Sequence, residues 1–193
     1  MASQLTPFRQ VRAVFDDREI TVYQAYSPEI AGPAVAAGTF VAPFSFTRMT
    51  WIKPSFLWMM YRCGWAAKPG QERVLAVRIT RAGFEEILSS ACLTHYDPDV
   101  HPSRDAWQAQ LADSPARVQW DPERTMTGAA LPYRSLQVGL TGPLVERYAN
   151  EWISGITDIT EQLSTIREGA APLPAERPYP LPAAIIERVA ASQ

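Results

Sequence analysis

The stretch from Met49 to Ala66, MTWIKPSFLWMMYRCGWA, restricts the fold of this chain more than any other. Pro54 is pre-set for the start of a helix and Gly64 for its end, and between them Phe56, Met59, Met60 and Cys63 recur at three- and four-residue spacing. This predicts a helix from Pro54 through about Arg62. An apolar, aromatic face of this kind has to be covered. With 193 residues and 47% apolar side chains, the chain suffices for one domain with a proper core and is too short for two.

The same stretch lies in the most basic part of the sequence. Between Phe44 and Arg81 stand Arg48, Lys53, Arg62, Lys68, Arg73, Arg78 and Arg81 against Glu72 alone, whereas the whole chain carries a net charge of −2. There is thus no global attraction to nucleic acid or membrane, and any electrostatic function is local. Phe44, Phe46, Trp51, Phe56, Trp58, Tyr61 and Trp65 interleave with those cations. Charge for phosphate and ring faces for stacking are what a nucleotide ligand needs. The residues also have a purely structural reading, because rings and methionines at helical spacing are commonly core and strand-end arginines are commonly solvated or paired. Lys53 differs: it stands between Trp51-Ile52 and a helix-starting proline, where its ammonium can join the helix N-terminus in receiving an anion. The ligand-binding candidates are Tyr23, Arg48, Trp51, Lys53 and Arg62.

Elsewhere the chain alternates short elements. EITVYQAYS (Glu19–Ser27) reads as a half-buried strand, and Ser27-Pro28 starts a short helix that stops at Gly38. Thr39–Phe46 is expected to be extended, and Arg73–Thr80 to be a buried strand with Thr80 capping the helix after it. CLTHYDPDVHPSRD reads as a loop until Ser103 caps another helix. Arg117–Trp120 and Tyr133–Leu140 are expected strands, Gly142-Pro143 opens a helix to about Trp152, and ITDIT is extended. The order predicts α+β, a single domain with a mixed or mostly antiparallel sheet and several short helices. It runs from about residue 9 to Arg167, followed by a proline-rich C-terminal tail, residues 168–193, with a brief helix over Ala183–Ala191.

Other chemistry is sparse. Cys92, His95, Asp97, Asp99 and His101 are close in sequence, but they lack the second ligand pair of a zinc motif and their Asp-Pro and His-Pro steps read as turns of a polar surface loop, so no metal is assigned. Cys63 and Cys92 do not make a disulfide framework. No nucleophile elbow, Walker loop or dinucleotide fingerprint is present. Asp121 and Glu123 follow a strand and can line a cleft at its end, and Gln24, Gln119 and Gln137 lie inside expected strands, where a polar side chain needs a partner or a ligand.

VYQAYSPEIA, AGTF, RMTWIKPSFLWMMYRCGWA, VQWDPER and PYRSLQVGL together resemble the bacterial and fungal family called domain of unknown function 4291. A more distant resemblance in plan is to ADP-ribosyltransferase-like proteins, including RNA 2′-phosphotransferases. It implies NAD as a cofactor and a catalytic set of Gln24 at the first position, Ser45 or Thr47 at the second, and Gln137 or Gln119 at the third. The Arg or His usual at the first position is missing. The expectation is a cytoplasmic protein whose basic, aromatic face binds a nucleotide or an RNA phosphate, either as a transferase of that type or as a non-catalytic RNA-binding module. A third reading makes the tail a partner-docking or homo-oligomer-forming arm. The polar N-terminus and the lack of a long apolar run predict neither a signal peptide nor a membrane span.

Overall fold

A computed structural model describes residues 6–192. Its elements in chain order are β1 (Arg12–Ala13), β2 (Glu19–Tyr26), α1 (Pro28–Ala37), β3 (Thr50–Ile52), α2 (Phe56–Cys63), β4 (Arg73–Thr80), α3 (Arg81–Ser89) and β5 (Ala91–Leu93). There follow α4 (Arg104–Asp113), β6 (Ala116–Arg124), β7 (Ala130–Leu140), α5 (Pro143–Arg147), β8 (Ile153–Asp158), α6 (Leu163–Arg167), β9 (Arg177–Pro178) and α7 (Ala183–Val189). A π-helical turn, Tyr148–Trp152, prolongs α5, so the segment ends at Trp152 as expected.

Side-chain caps set several helix starts. Ser55, Thr80 and Ser103 each accept a backbone N–H of the first turn, from Trp58, Gly83 and Ala106 at 3.1–3.2 Å. For α2 the cap is therefore Ser55, one residue after the proline, and Lys53 stays outside the helix at the end of a strand.

The strands form an α+β fold with three sheets, ordered β2-β4-β8, β3-β7-β6-β5 and β1-β9. All pairings are antiparallel except β5 with β6. The two larger sheets meet at one antiparallel bridge, Tyr23 to Lys53, with Tyr23 N–H donating to the Lys53 carbonyl at 2.7 Å and Lys53 N–H donating back at 3.3 Å. The main core includes Ile20, Val22, Ile52, Val77, Phe84, Val138 and Tyr148, and a smaller core under α2 holds Tyr23, Phe56, Met59, Met60, Cys63, Val74, Leu163 and Ile166.

Two local expectations are corrected. Thr39–Phe46 forms no strand: it is held by its rings, with Phe40 stacked on Phe44 at 4.4 Å and both edge-on to Tyr26, and its backbone turns at Phe44 N–H to Val41 O. The segment from Cys92 to His101 is no simple polar surface loop either. Its first residues complete β5, whose three residues are all buried, and Cys92 and His101 are buried with Sγ and Nε2 3.9 Å apart.

The proline-rich segment lies against the domain. Strand β9 pairs with β1 in the register Arg12 to Pro178, and Tyr179, Leu181, Ile185 and Val189 enter the main core. Glu176 accepts the Phe56 N–H at 2.6 Å, which closes another open donor of α2. A chain ending at Arg167 loses those four buried side chains at about 2–5 kcal/mol each, against a typical total stability of about 5–15 kcal/mol. It is expected to show no cooperative thermal transition by circular dichroism. A sharp melt close to that of the full chain would show the segment to be dispensable.

Candidate functional site

Where the two large sheets join, their strands diverge and leave two clefts with Lys53 between them. The first, about 420 Å³, is lined by Gln24, Tyr26, Ser45, Arg48, Thr50 and Gln71. The second, about 320 Å³, is lined by Trp58, Arg62, Gln119, Asp121 and Gln137. Trp51 and Lys53 line both. Their volumes are in the range of small-ligand sites.

Sheet register builds the second cleft. Gln119 of β6 lies directly opposite Gln137 of β7, and Asp121, two residues on, shares their face. Both glutamine amides donate to the Asp121 carboxylate at 2.9 Å, Gln119 Nε2 to Oδ1 and Gln137 Nε2 to Oδ2. This orients the carboxylate and, among the described residues, leaves both amide oxygens without a donor. Gly139, opposite Trp51, seats the indole: a Cβ there would come within 3.0 Å of the ring and 2.8 Å of Met49 Sδ. Trp58 is buried at 4% exposure, and its indole N–H finds no acceptor among the described residues.

Lys53 is the electrostatic centre. It is 7% exposed, and among the described residues its ammonium has neither an ion pair nor a hydrogen bond. Burial pushes its pKa from 10.5 down to about 8, the nearby Arg62 cation adds to this, and Asp121 opposes it. A buried cation without a partner is costly in folding terms, and such groups concentrate at functional sites.

Of the seven cations of the basic window, Lys68 donates to the Arg62 carbonyl at 2.7 Å, and the other six divide into two groups of three. Arg73, Arg78 and Arg81 are paired with Asp158, Glu19 and Glu85, which makes them structural. Arg48, Lys53 and Arg62 form no ion pair among the described residues, and all three line the clefts.

Other candidates fall less neatly. Tyr23 points into the small core against Phe56, and burial raises its hydroxyl pKa well above the ordinary value, so its contribution to the site is the backbone bridge to Lys53. Gln24 lines the first cleft, but its amide is engaged: it accepts from the Tyr148 hydroxyl at 2.6 Å and donates to the Tyr26 hydroxyl at 2.7 Å. The π-helical turn carries that Tyr148. Thr47 is exposed and lines neither cleft, whereas Ser45, 3.2 Å from it, lines the first. Gln24, Thr47 and Gln137 therefore do not converge on one cavity. The Trp58 indole N–H and the Glu176 contact to α2 escaped sequence reasoning, since both depend on tertiary packing. Among the described residues, no three His, Cys, Asp or Glu side chains gather as metal ligands, and no helix is long and apolar enough to cross a membrane.

The depressed Lys53 pKa has a stability consequence of defined sign. Between about pH 8 and 10.5 the unfolded chain holds a proton that the native state has released, so this residue's penalty is fully present below 8 and fades as pH rises. Lys53→Met is expected to raise the melting temperature at pH 7 by on the order of 5 °C, with the gain shrinking toward pH 10. Paired thermal melts of the two proteins at both pH values test this, and a variant less stable than the parent at pH 7 would overturn it.

A search against curated proteins gives no match. The family model described as domain of unknown function (DUF4291) matches residues 10–179, taking in both clefts, all nine strands and the Glu176 contact. On that match over most of its 193 residues, the chain belongs to the DUF4291 family.

Proposed function

We propose that the paired clefts bind a nucleotide or a nucleic-acid phosphate, with Lys53 on the phosphate and Trp51 as a stacking face. One observation carries this reading: among the described residues, Lys53 is 7% exposed with no partner for its ammonium, and it stands between two clefts that each add an arginine without an ion pair, Arg48 in one and Arg62 in the other. An anion bridging the three would supply the charge that the protein withholds. The second cleft also holds acceptors, the Asp121 carboxylate and two glutamine oxygens, suited to the N–H edge of a base. Reaction chemistry is a separate matter. NAD is among the trial ligands because the resemblance to ADP-ribosyltransferase-like proteins implies it, and its turnover would extend binding to transfer.

A thermal-shift panel with NAD, ATP, ADP-ribose and inorganic phosphate tests the reading. A ligand at a hundred times its dissociation constant stabilises by about 2.7 kcal/mol, enough to move the midpoint by about 5–10 °C. The shift should vanish in Lys53→Met and shrink in Arg48→Ala, each measured from its own baseline. If none of the four moves the parent protein, or if Lys53→Met responds as the parent does, the reading is wrong.

A further inference from the structure

Beyond the Lys53 clefts, the outer face of α2 continues into a run of rings and unpaired cations. A third cleft, about 260 Å³, is lined by Leu57, Tyr61, Trp65, Met126 and Arg167. A fourth, about 310 Å³, shares Trp65 and Arg167 with it and adds Thr160 and Ser164. The four clefts are strung together by common or touching residues. Trp51 and Lys53 join the first to the second, Trp58 of the second is stacked with Tyr61 of the third at 5.5 Å and 21°, and Trp65 with Arg167 joins the third to the fourth.

Each ring on this face has a cation beside it. The Arg124 guanidinium stands 3.9 Å from the Tyr61 centroid and 5.7 Å from that of Trp58, and Arg167 stands 5.5 Å from Trp65. Since Trp58 and Tyr61 are themselves 5.5 Å apart, Arg124 sits beside Trp58 and not on the opposite side of Tyr61 from it. Tyr61 is 42% exposed. Neither Arg124 nor Arg167 forms an ion pair among the described residues, and the Arg124 Nε is buried without an acceptor.

The backbone is also distorted to place Trp65. Gly64, Trp65 and Ala66 take φ of 61°, 57° and 66° in succession, a left-handed run that residues with a Cβ rarely adopt. Hydrogen bonds from Trp65 N–H to Met60 O at 2.9 Å and from Ala66 N–H to the buried Cys63 Sγ at 3.4 Å hold it. Strain of this kind persists where the placement of a side chain is used.

We infer that this face is a track for a single-stranded nucleic acid, in which Tyr61 and Trp65 meet bases flanking the nucleotide at Lys53, and Arg124 and Arg167 follow the backbone. The inference rests on the Lys53 clefts being a nucleotide site, and it adds the polymer. Arg124 also donates to Gly128 O at 3.3 Å and Trp65 also packs edge-on against Phe56, but a mononucleotide at Lys53 would not reach the exposed ring of Tyr61 or the Arg167 cleft. A protein partner is less well matched, since the centres of protein interfaces are depleted in charge, whereas here every ring is accompanied by a cation.

The test is fluorescence anisotropy with labelled ten-nucleotide single strands of RNA and of DNA and a ten-base-pair duplex, beside calorimetric titration with AMP. Folding of each variant is checked by thermal melt. A single strand should bind at least tenfold more tightly than AMP and than the duplex, and comparing RNA with DNA identifies the sugar. Tyr61→Ala and Arg167→Ala should each weaken the single strand by about 5- to 100-fold and leave AMP unchanged. Arg167→Ala should also reduce the slope of log affinity against log salt by about 0.7. The track is overturned if single strands bind no more tightly than AMP or than duplex, or if neither substitution affects them. In that case AMP binding lost in Lys53→Met leaves the nucleotide site standing. Single-strand binding that survives Lys53→Met yet falls with Tyr61→Ala would instead remove the Lys53 reading and overturn a track that runs through Lys53.

Discussion

The pair of hydrogen bonds between the backbones of Tyr23 and Lys53 bridges the two large sheets of this protein, which also share the main core. Much else follows from that single bridge. It sends the Tyr23 ring down into the small core beneath α2, and it fixes the Lys53 backbone at the mouth of the gap where the sheets separate. Proline and a serine cap follow at once, so that the chain turns from strand into helix within three residues and α2 roofs the second cleft. The position of the lysine is thus set by covalent geometry and main-chain bonding, not by a side-chain partner.

That arrangement explains how an uncompensated cation is tolerated. Removing an ammonium from water is expensive, and the usual remedy is a carboxylate in contact. Here Asp121, the acid whose charge acts on Lys53, is held by two glutamine amides, while Arg62 reinforces the positive field. The molecule accepts a loss of stability at one residue and supports it with a rigid frame of sheet, cap and buried aromatic side chains. A local violation of folding rules inside an otherwise consistent structure is the usual mark of a functional position.

What could be read from the sequence divides along the range of the interactions involved. Strand β2 is legible through alternation, β4 through its apolar, β-branched composition, and the helix starts at Thr80 and Ser103 through capping, all of which are local signals. Strands β1, β3, β5 and β9 have two or three residues each and exist only by pairing with distant segments, which leaves no periodic trace. Thr39–Phe46 has strand-like composition but is governed by ring contacts to Tyr26. In the site, Arg48, Trp51, Lys53 and Arg62 stood out through local charge and aromaticity, and Gln119, Asp121 and Gln137 through polarity within strands. Tyr23 enters the small core while Gln24 lines the first cleft, because neighbouring strand residues face opposite ways. Arg124 and Arg167 gave no signal, since only the folded chain brings them to α2.

The contact between Glu176 and Phe56 spans 120 residues of sequence. During synthesis, at about 5–20 residues per second, α2 therefore waits on the order of ten seconds for the carboxylate that completes its first turn and for the segment that closes the core. Throughout that interval the most aromatic helix of the protein is present without its final cover. The two clefts beside Lys53 reach their final form only when the last part of the family-matched region leaves the ribosome.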